Sequence, residues 1–422
     1  MDWPSYGYDW SNSVHNGRET VLSAESVSEL VEAWRLDTGG VTGTPIVTDG
    51  VAYLGDWRGA VYAVDAIDGT TEWEAQVTDM PITSTVAVTD EVVIAGDLGG
   101  VLHAVDRGTR ETVWSTNLEP RGASLFASPV VIGDMVVIGM TDTELEDNDP
   151  GFRASVVAVN LDDGGERWRL YTDPGKEPGY WVSIWSSAAY DPDRGLIYLG
   201  TGNTNQAEGA EDAPLDLPLT DGVMAIEQDT GKVAWFYRLV EHDEGRDLDV
   251  GSSPNLFSIG GRDVVGAGGK SGDYVVLDRD TGEEVWKTHL TSGGAGGGVM
   301  STAAIGDGVI YVGSNELGVQ GTIFALDAED GSVLWREDLG GPISGGSMAL
   351  ANGVLYRGTL EGSVTALDAD DGSLLWTDDL DSPLGGGFSV AGGRLYVGFG
   401  ADDPRVRTDQ AGGLVAYALA AD

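Results

Sequence analysis

Eight tryptophans recur at the end of one short phrase, and this recurrence constrains the fold more than any other feature of the chain. The phrase is an apolar strand ending in Asp or a near equivalent, a tight Asp/Gly turn, and a second strand closed by Trp. AVDAIDGTTEW (Trp73), ALDAEDGSVLW (Trp335) and ALDADDGSLLW (Trp376) show it most clearly, and further copies end at Trp34, Trp114, Trp168, Trp235 and Trp286. Successive spacings are 39, 41, 54, 67, 51, 49 and 41 residues. Periods near forty with several short strands each indicate propeller blades, because one small sheet cannot bury both faces and must stack on its neighbours. Alternating or apolar runs such as TPIVTDGVAYLG and MALANGVLYRG read as strands. The turn glycine supplies the positive φ that a tight hairpin needs. An unrelated sandwich would not place Trp in register eight times.

No full blade precedes Trp34, and the last unit, ending in GGLVAYAL, has no Trp of its own. The simplest reconciliation makes SELVEAWRL the outer strand of the final blade, which closes the ring and removes a free sheet edge. The expectation is an all-β, eight-bladed β-propeller forming one domain over 1–422, with an N-terminal extension at 1–27 and a closing strand at 28–37.

Acidic residues number 69 against 23 basic ones, a formal net charge of −46. Such a surface repels polyanions, so nucleic acid is excluded as a partner class. Because the carboxylates are spread through well-patterned strands, the excess reads as a solvated surface suited to high salt, where the Debye length falls to about 3 Å at 1 M. Cysteine is absent, which removes disulfides, thiolate metal sites and covalent haem attachment. Any electron transfer must therefore end on a separate molecule. No run reaches the ~18 apolar residues of a membrane span. MDWPSYGYDWSNS carries no export signal, so the expectation is either an extracellular or periplasm-equivalent protein whose signal has been removed, or a cytoplasmic one.

Three interruptions break the repeat: TDTELEDNDPGFR in the third unit, TGNTNQAEGAEDAPLDLPLTDG in the fourth and HDEGRDLDVGSSP before the fifth. Insertions in adjacent blades can build one site over the central funnel. His242, beside Asp243, reads as a surface ion pair and is left out of that site.

With these interruptions the chain resembles the pyrroloquinoline quinone (PQQ)-dependent dehydrogenases, most closely the polyvinyl-alcohol-dehydrogenase-like branch of these quinoproteins. The carrying motifs are WPSYGYDWSNS, TELE followed by FRASVVAVN, YLGTGN, DLDVGSSP, GGKSG followed by LDRDTGEEVW, and GAGGGV. The blade repeat alone is shared with a non-catalytic outer-membrane assembly lipoprotein. The resemblance implies calcium ligands at Glu144 and Asn203. It implies a third, acidic residue at Asp249 that acts as general base and touches the metal, with Asp247 as the alternative if the register slips. It further implies a cation at Lys270 beside the quinone's reactive carbonyl, and Trp185 as the floor under the cofactor plane.

The implied chemistry suits these residue types. Ca²⁺ takes oxygen ligands and would polarise the quinone. Asp249 would remove the alcohol proton. Lys270 would stabilise negative charge on the reduced cofactor. PQQ carries three carboxylates, so an acidic protein needs local positive charge to hold it. The metal and Lys270 are the minimum, with Arg153 or Arg246 as further sources. An isolated Glu or Asp in so acidic a chain is usually solvated, GTGN can be a simple turn, and Trp185 can be core packing.

The chain departs from the family in three places. It lacks the adjacent cysteine pair above the cofactor, it has MPITSTV where an Arg often follows that pair, and Met300 stands where relatives often carry Trp. Two functional expectations follow: PQQ- and Ca²⁺-dependent oxidation of a small or polymeric alcohol or a sugar, with electrons passed to an external acceptor, or a non-catalytic propeller that serves as a scaffold for a protein partner.

Overall fold

The computed structural model describes residues 2–142, 151–173, 180–206, 217–241, 243, 245–316, 320–400 and 411–420. Eight four-stranded antiparallel sheets follow one another along the chain, and they are the predicted blades. Blade one spans Ile46–Thr48, Val51–Gly55, Ala60–Asp65 and Thr71–Gln76, and the same order repeats to blade seven, which ends at Leu374–Asp379. Blade eight is built from Phe388–Ala391, Arg394–Phe399 and Gly412–Leu419, and its fourth strand is Leu30–Thr38 from the start of the chain. The expected N-terminal closure is therefore present, one residue longer at its C-terminal end and preceded by a short 3₁₀ turn at Val27–Glu29.

The pairing explains why the phrase has the composition it does. Each blade Trp stands opposite a small residue on the third strand: Ala63 for Trp73, Ala104 for Trp114, Ala366 for Trp376 and Ala416 for Trp34, with Val276 as the bulkier exception for Trp286. A register shift lies beside each such pair, bending the outer strand. The indole then reaches across to the next blade and donates to a backbone carbonyl, as Trp114 does to Leu161 (2.8 Å), Trp168 to Gln228 (2.8 Å) and Trp286 to Ala328 (3.0 Å). Trp376 of blade seven donates to Leu30 (3.1 Å), so the closing strand supplies the acceptor that the turn before the outer strand gives in the other blades.

Beneath the indole lies the turn glycine of the next blade. A Cβ on Gly231 would stand 2.4 Å from the Trp168 ring, so the position needs glycine for contact as well as for its φ of 66°. Blade two breaks the expectation of a glycine in every turn, because Arg110 holds the corresponding place at φ 68°. A non-glycine residue there costs about 1–2 kcal/mol. Since glycine also loses more entropy on folding, Arg110→Gly is expected to raise stability by a net of about 0.5–1 kcal/mol in thermal unfolding.

The N-terminal extension is part of the propeller. Trp3 bridges Val47 of blade one, Trp10 accepts from the Tyr190 amide, Ser11 from Leu256, Ser13 from Ile305 and Val14 from Leu350. His15–Asn16 adds a short parallel strand to blade seven, and the Asn16 amide donates to Val390 of blade eight (2.7 Å). This segment laces the innermost strands of six blades across one end of the central channel.

Candidate functional site

The described residues of the interrupting segments come together at one place, Thr141 and Asp142 from the third unit, Asn203 and Asn205 from the fourth, and Asp247 and Asp249 from before the fifth. One cavity, about 430 Å³, is lined by Phe126, Thr141, Asp142, Ser183, Trp185, Asn203, Asn205, Asp247, Asp249, Lys270, Ala295 and Met300. A second cavity of about 260 Å³ runs on from it through shared walls at Phe126, Trp185 and Met300. Four residues that the resemblance implies, Trp185, Asn203, Asp249 and Lys270, thus line one space. Glu144 lies outside the described residues, as does His242.

Local geometry fixes each group. The loop before blade five folds back on itself because the Asp243 carboxylate accepts the amides of Arg246 and Asp247, both at 3.1 Å. Asp247 is thereby held in the left-handed region at φ 60° and turned to Lys270, which reaches both its oxygens at 2.9 Å. Asp249 is buried, accepting the Asn203 amide at 2.5 Å on one oxygen and Lys270 Nζ at 2.7 Å on the other. A Cβ on Gly202 would stand 2.8 Å from that carboxylate, which is why GTGN has glycine before its Asn. Trp185 lies flush against Gly251, where a Cβ would come within 1.7 Å of the indole. Lys270 Nζ stands 5.6 Å from the centre of the same ring.

The electrostatics follow from burial and crowding. Burial pushes Asp247 up to about 6, and the neighbouring Asp249 charge pushes the same way while Lys270 opposes both. Burial alone would lower Lys270, but the charges of Asp249 and Asp247 outweigh it and leave the ammonium raised. Asp221, behind the site, is buried with Oδ1 lacking any hydrogen-bond partner among the described residues, and desolvation together with Asp243 and Asp249 lifts it to about 7. Its folded-state value lies above the unfolded one, so its contribution is present in full below pH 4 and is lost as pH rises through 7. Each pH unit separating the folded from the unfolded value is worth about 1.4 kcal/mol. Asp221→Asn is therefore expected to raise the melting temperature by several degrees at pH 8 and to leave it nearly unchanged at pH 4. Thermal scans at the two pH values check this.

Several lining residues are not among those the sequence singled out. Asp142 sits two residues before Glu144 in TDTELE and accepts from Thr141 (2.7 Å) and Ser183 (3.3 Å). Asn205 follows Asn203 by two and contacts Ser183. Their proximity in sequence to the named motifs was the available signal. Two of the cations considered for anionic groups are elsewhere: Arg153 is held by Asp173 (2.7 Å) and stacks on Tyr171. Arg246 donates to the Asp243 carbonyl (2.9 Å) and lines a separate groove with Leu239 and His289.

Among the described residues that line the cavity there is no His or Cys, and Asp142, Asn203, Asp247 and Asp249 offer oxygens, which suit a hard cation. Among the described residues no three carboxylate, His or Cys groups already form a cation shell. Asp142, Asn203 and Asp249 nevertheless offer oxygens to one space, beside a flat indole face and one ammonium.

Sequence comparison finds the family described as glucose/ethanol/alcohol dehydrogenase, beta-propeller domain, over residues 117–292. The family described as outer membrane protein assembly factor BamB matches over 18–179, 270–377 and 319–418. A polyvinylalcohol dehydrogenase from a Pseudomonas species is 31% identical over 219 residues, 44% of this chain and 33% of the relative. The chain spans between a third and a half of the length of the first curated relatives it matches. Among solved structures, quinohemoprotein alcohol dehydrogenase ADHIIG of Pseudomonas putida superposes with a TM-score of 0.84 at 22% identity, covering 100% of this chain and 81% of that one. A europium-containing methanol dehydrogenase gives 0.83 at 18% identity, covering 99% and 98%. At these identities the structural likeness establishes the eight-bladed fold.

Proposed function

Because the chain belongs to the PQQ-repeat β-propeller family of the quinoprotein alcohol dehydrogenases, we propose that it oxidises an alcohol with PQQ and a hard cation and passes the electrons to an external acceptor. The observation that supports this reading is the shared cavity of Trp185, Asn203, Asp249 and Lys270. When bound, PQQ supplies the two-electron oxidant and the cation supplies the Lewis acid that polarises it. Asn203 and Asp249 would hold the cation, with Glu144 completing the set. Calcium is the expected ion. The europium in a relative's structure makes a trivalent ion worth testing, and the three carboxylates Asp142, Asp247 and Asp249 that line the cavity favour high positive charge.

The chain's own groups divide the remaining work. Trp185 offers a rigid apolar platform for a flat ring, held in place by Gly251. Lys270 brings the one positive side chain that lines the cavity among the described residues, and it balances charge developing on the cofactor. Asp249 accepts the alcohol proton, with Asp247 on the same ammonium as the alternate base. Phe126 and Met300 supply apolar wall to the cavity, Met300 where relatives often carry Trp. The polyvinylalcohol dehydrogenase relative favours an extended secondary alcohol as substrate. A scaffold role for the fold leaves the buried Asp249–Lys270 pair without a purpose.

The test is a dye-linked oxidation assay in molar NaCl on primary, secondary and polymeric alcohols. Turnover is expected only with PQQ and Ca²⁺ or La³⁺ together. Absence of turnover with every alcohol at saturating cofactor and cation would contradict the reading.

A further inference from the structure

The central channel carries a second feature that the candidate oxidation site does not use. At the mouth of the innermost strand, seven blades place a hydroxyl residue: Thr44, Thr85, Ser128, Ser187, Ser253, Thr302 and Ser347. The eighth places Gly387. From blade one to blade five these residues form a directional ring, each amide donating to the next hydroxyl: Thr44 to Thr85 (2.8 Å), Thr85 to Ser128 (3.2 Å), Ser128 to Ser187 (2.9 Å) and Ser187 to Ser253 (2.8 Å). Tyr6 of the N-terminal segment continues it, with its phenol oxygen 3.3 Å from Ser253 Oγ and 2.8 Å from Thr302 Oγ1.

The ring fails at blades seven, eight and one. Thr44 Oγ1 and Ser347 Oγ are buried and have no hydrogen-bond partner among the described residues. Both converge on Gly387, standing 2.1 and 2.6 Å from where a Cβ would be. Buried hydroxyls left this way cost about 1–3 kcal/mol each unless a guest accepts from them.

Arg357 lies behind this break and is 1% exposed. Its guanidinium donates to the carbonyls of Ser344 (2.6 Å) and Gly346, while among the described residues Nε has no partner and no carboxylate pairs with the side chain. In a trans peptide the carbonyl of one residue and the amide N–H of the next point in opposite directions. With the Ser344 and Gly346 carbonyls drawn to Arg357, the N–H groups of Gly345 and Ser347 turn away from it. That side of the loop, at Gly345 and Gly346, lines the 260 Å³ channel cavity together with Thr44, Tyr6 and Gly387. A buried cation without a counter-charge is costly, and a water molecule would satisfy the hydroxyls without balancing it.

We propose that the channel between blades seven, eight and one binds a monovalent anion, a halide or the carboxylate end of an anionic ligand. The hydroxyls of Thr44 and Ser347 and the Ser347 amide hold it, and Arg357 balances its charge. The seat does not depend on the oxidation chemistry proposed above. A protein with a net charge of −46 that keeps such an arginine buried behind its channel wall has made one place where an anion is favoured.

The experiment is anomalous diffraction from crystals of the full chain equilibrated in molar NaBr. A bromide peak in hydrogen-bond contact with Thr44 Oγ1 and Ser347 Oγ is expected, weakened at least tenfold in occupancy at limiting bromide by Arg357→Met. Should Arg357→Met not fold, the double variant Thr44→Val with Ser347→Ala must lose the peak instead. Adding PQQ separates the sources: retained bromide identifies a free halide, and replacement by density of the cofactor's carboxylate identifies the ligand end. Water alone at this position in the wild-type protein would overturn the proposal, as would a bromide peak indifferent to Arg357→Met.

Discussion

Asp249→Asn is expected to lower PQQ-dependent alcohol turnover by roughly 10²–10⁴-fold, the range for removing a general base, while leaving the propeller folded. The carboxylate lies between the Asn203 amide and Lys270 Nζ, and an asparagine of the same shape fits the space and keeps one of the two hydrogen bonds through its single oxygen, with its NH2 turned to the other donor. What it cannot do is carry the negative charge that a cation and a departing proton require. Lys270 keeps Asp247 as a counter-ion at 2.9 Å, so the ammonium is not left unpaired and the loss of stability stays below the 3–5 kcal/mol typical of a broken buried pair. Asp247→Asn is the informative comparison. Its carboxylate is far more exposed than that of Asp249, so a smaller fall in kcat there assigns the proton to Asp249 and a larger one assigns it to Asp247. Steady-state rates at saturating PQQ and cation, with melting temperatures for both variants, decide the matter.

Deleting residues 1–38 is expected to abolish the folded monomer. The deletion removes Leu30–Thr38, which pairs along the whole of Gly412–Leu419, and leaves that strand as an open edge in blade eight. It also removes Trp34, whose indole packs on Gly69 and donates to Ala66 of blade one (3.3 Å), and the segment that laces six innermost strands together. Size-exclusion chromatography should find aggregate, and the near-ultraviolet dichroism of packed aromatics should be lost. Trp34→Ala keeps the backbone pairing and is expected to remain folded at a cost of about 3–5 kcal/mol. A truncated chain that stays monomeric with an unchanged melting temperature would show that ring closure contributes nothing.

The blades were legible because their signal is steric. A Trp needs a small residue opposite it and a glycine under it, and both requirements are written in the phrase. Arg110 shows where that rule bends, since the turn of blade two accepts a strained backbone that the phrase alone does not reveal. The N-terminal lacing was not legible, because most of its bonds run from main chain to main chain and constrain few side chains. Trp185, Asn203, Asp249 and Lys270 could be placed together because the ordered loop motifs resemble those of the quinoprotein dehydrogenases and carry these positions with them. Asp142 and Asp221 could not, being two carboxylates among 69 whose burial depends on which blades the insertions cover. Arg357 stands in VLYRG where other blades have an apolar residue, as in VAYLG and LIYLG. That mismatch was visible in register, but the absence of a counter-ion among the described residues is a property of the packed channel.

The proposed chemistry rests on the cavity over Trp185 being a cofactor site. A titration of the protein with PQQ in molar NaCl, with and without Ca²⁺ and followed by quenching of tryptophan fluorescence, tests it most directly. Saturable quenching that requires the cation and is weakened at least tenfold by Lys270→Met is expected. No quenching at saturating PQQ and cation, in a protein whose melting curve shows it folded, would contradict it.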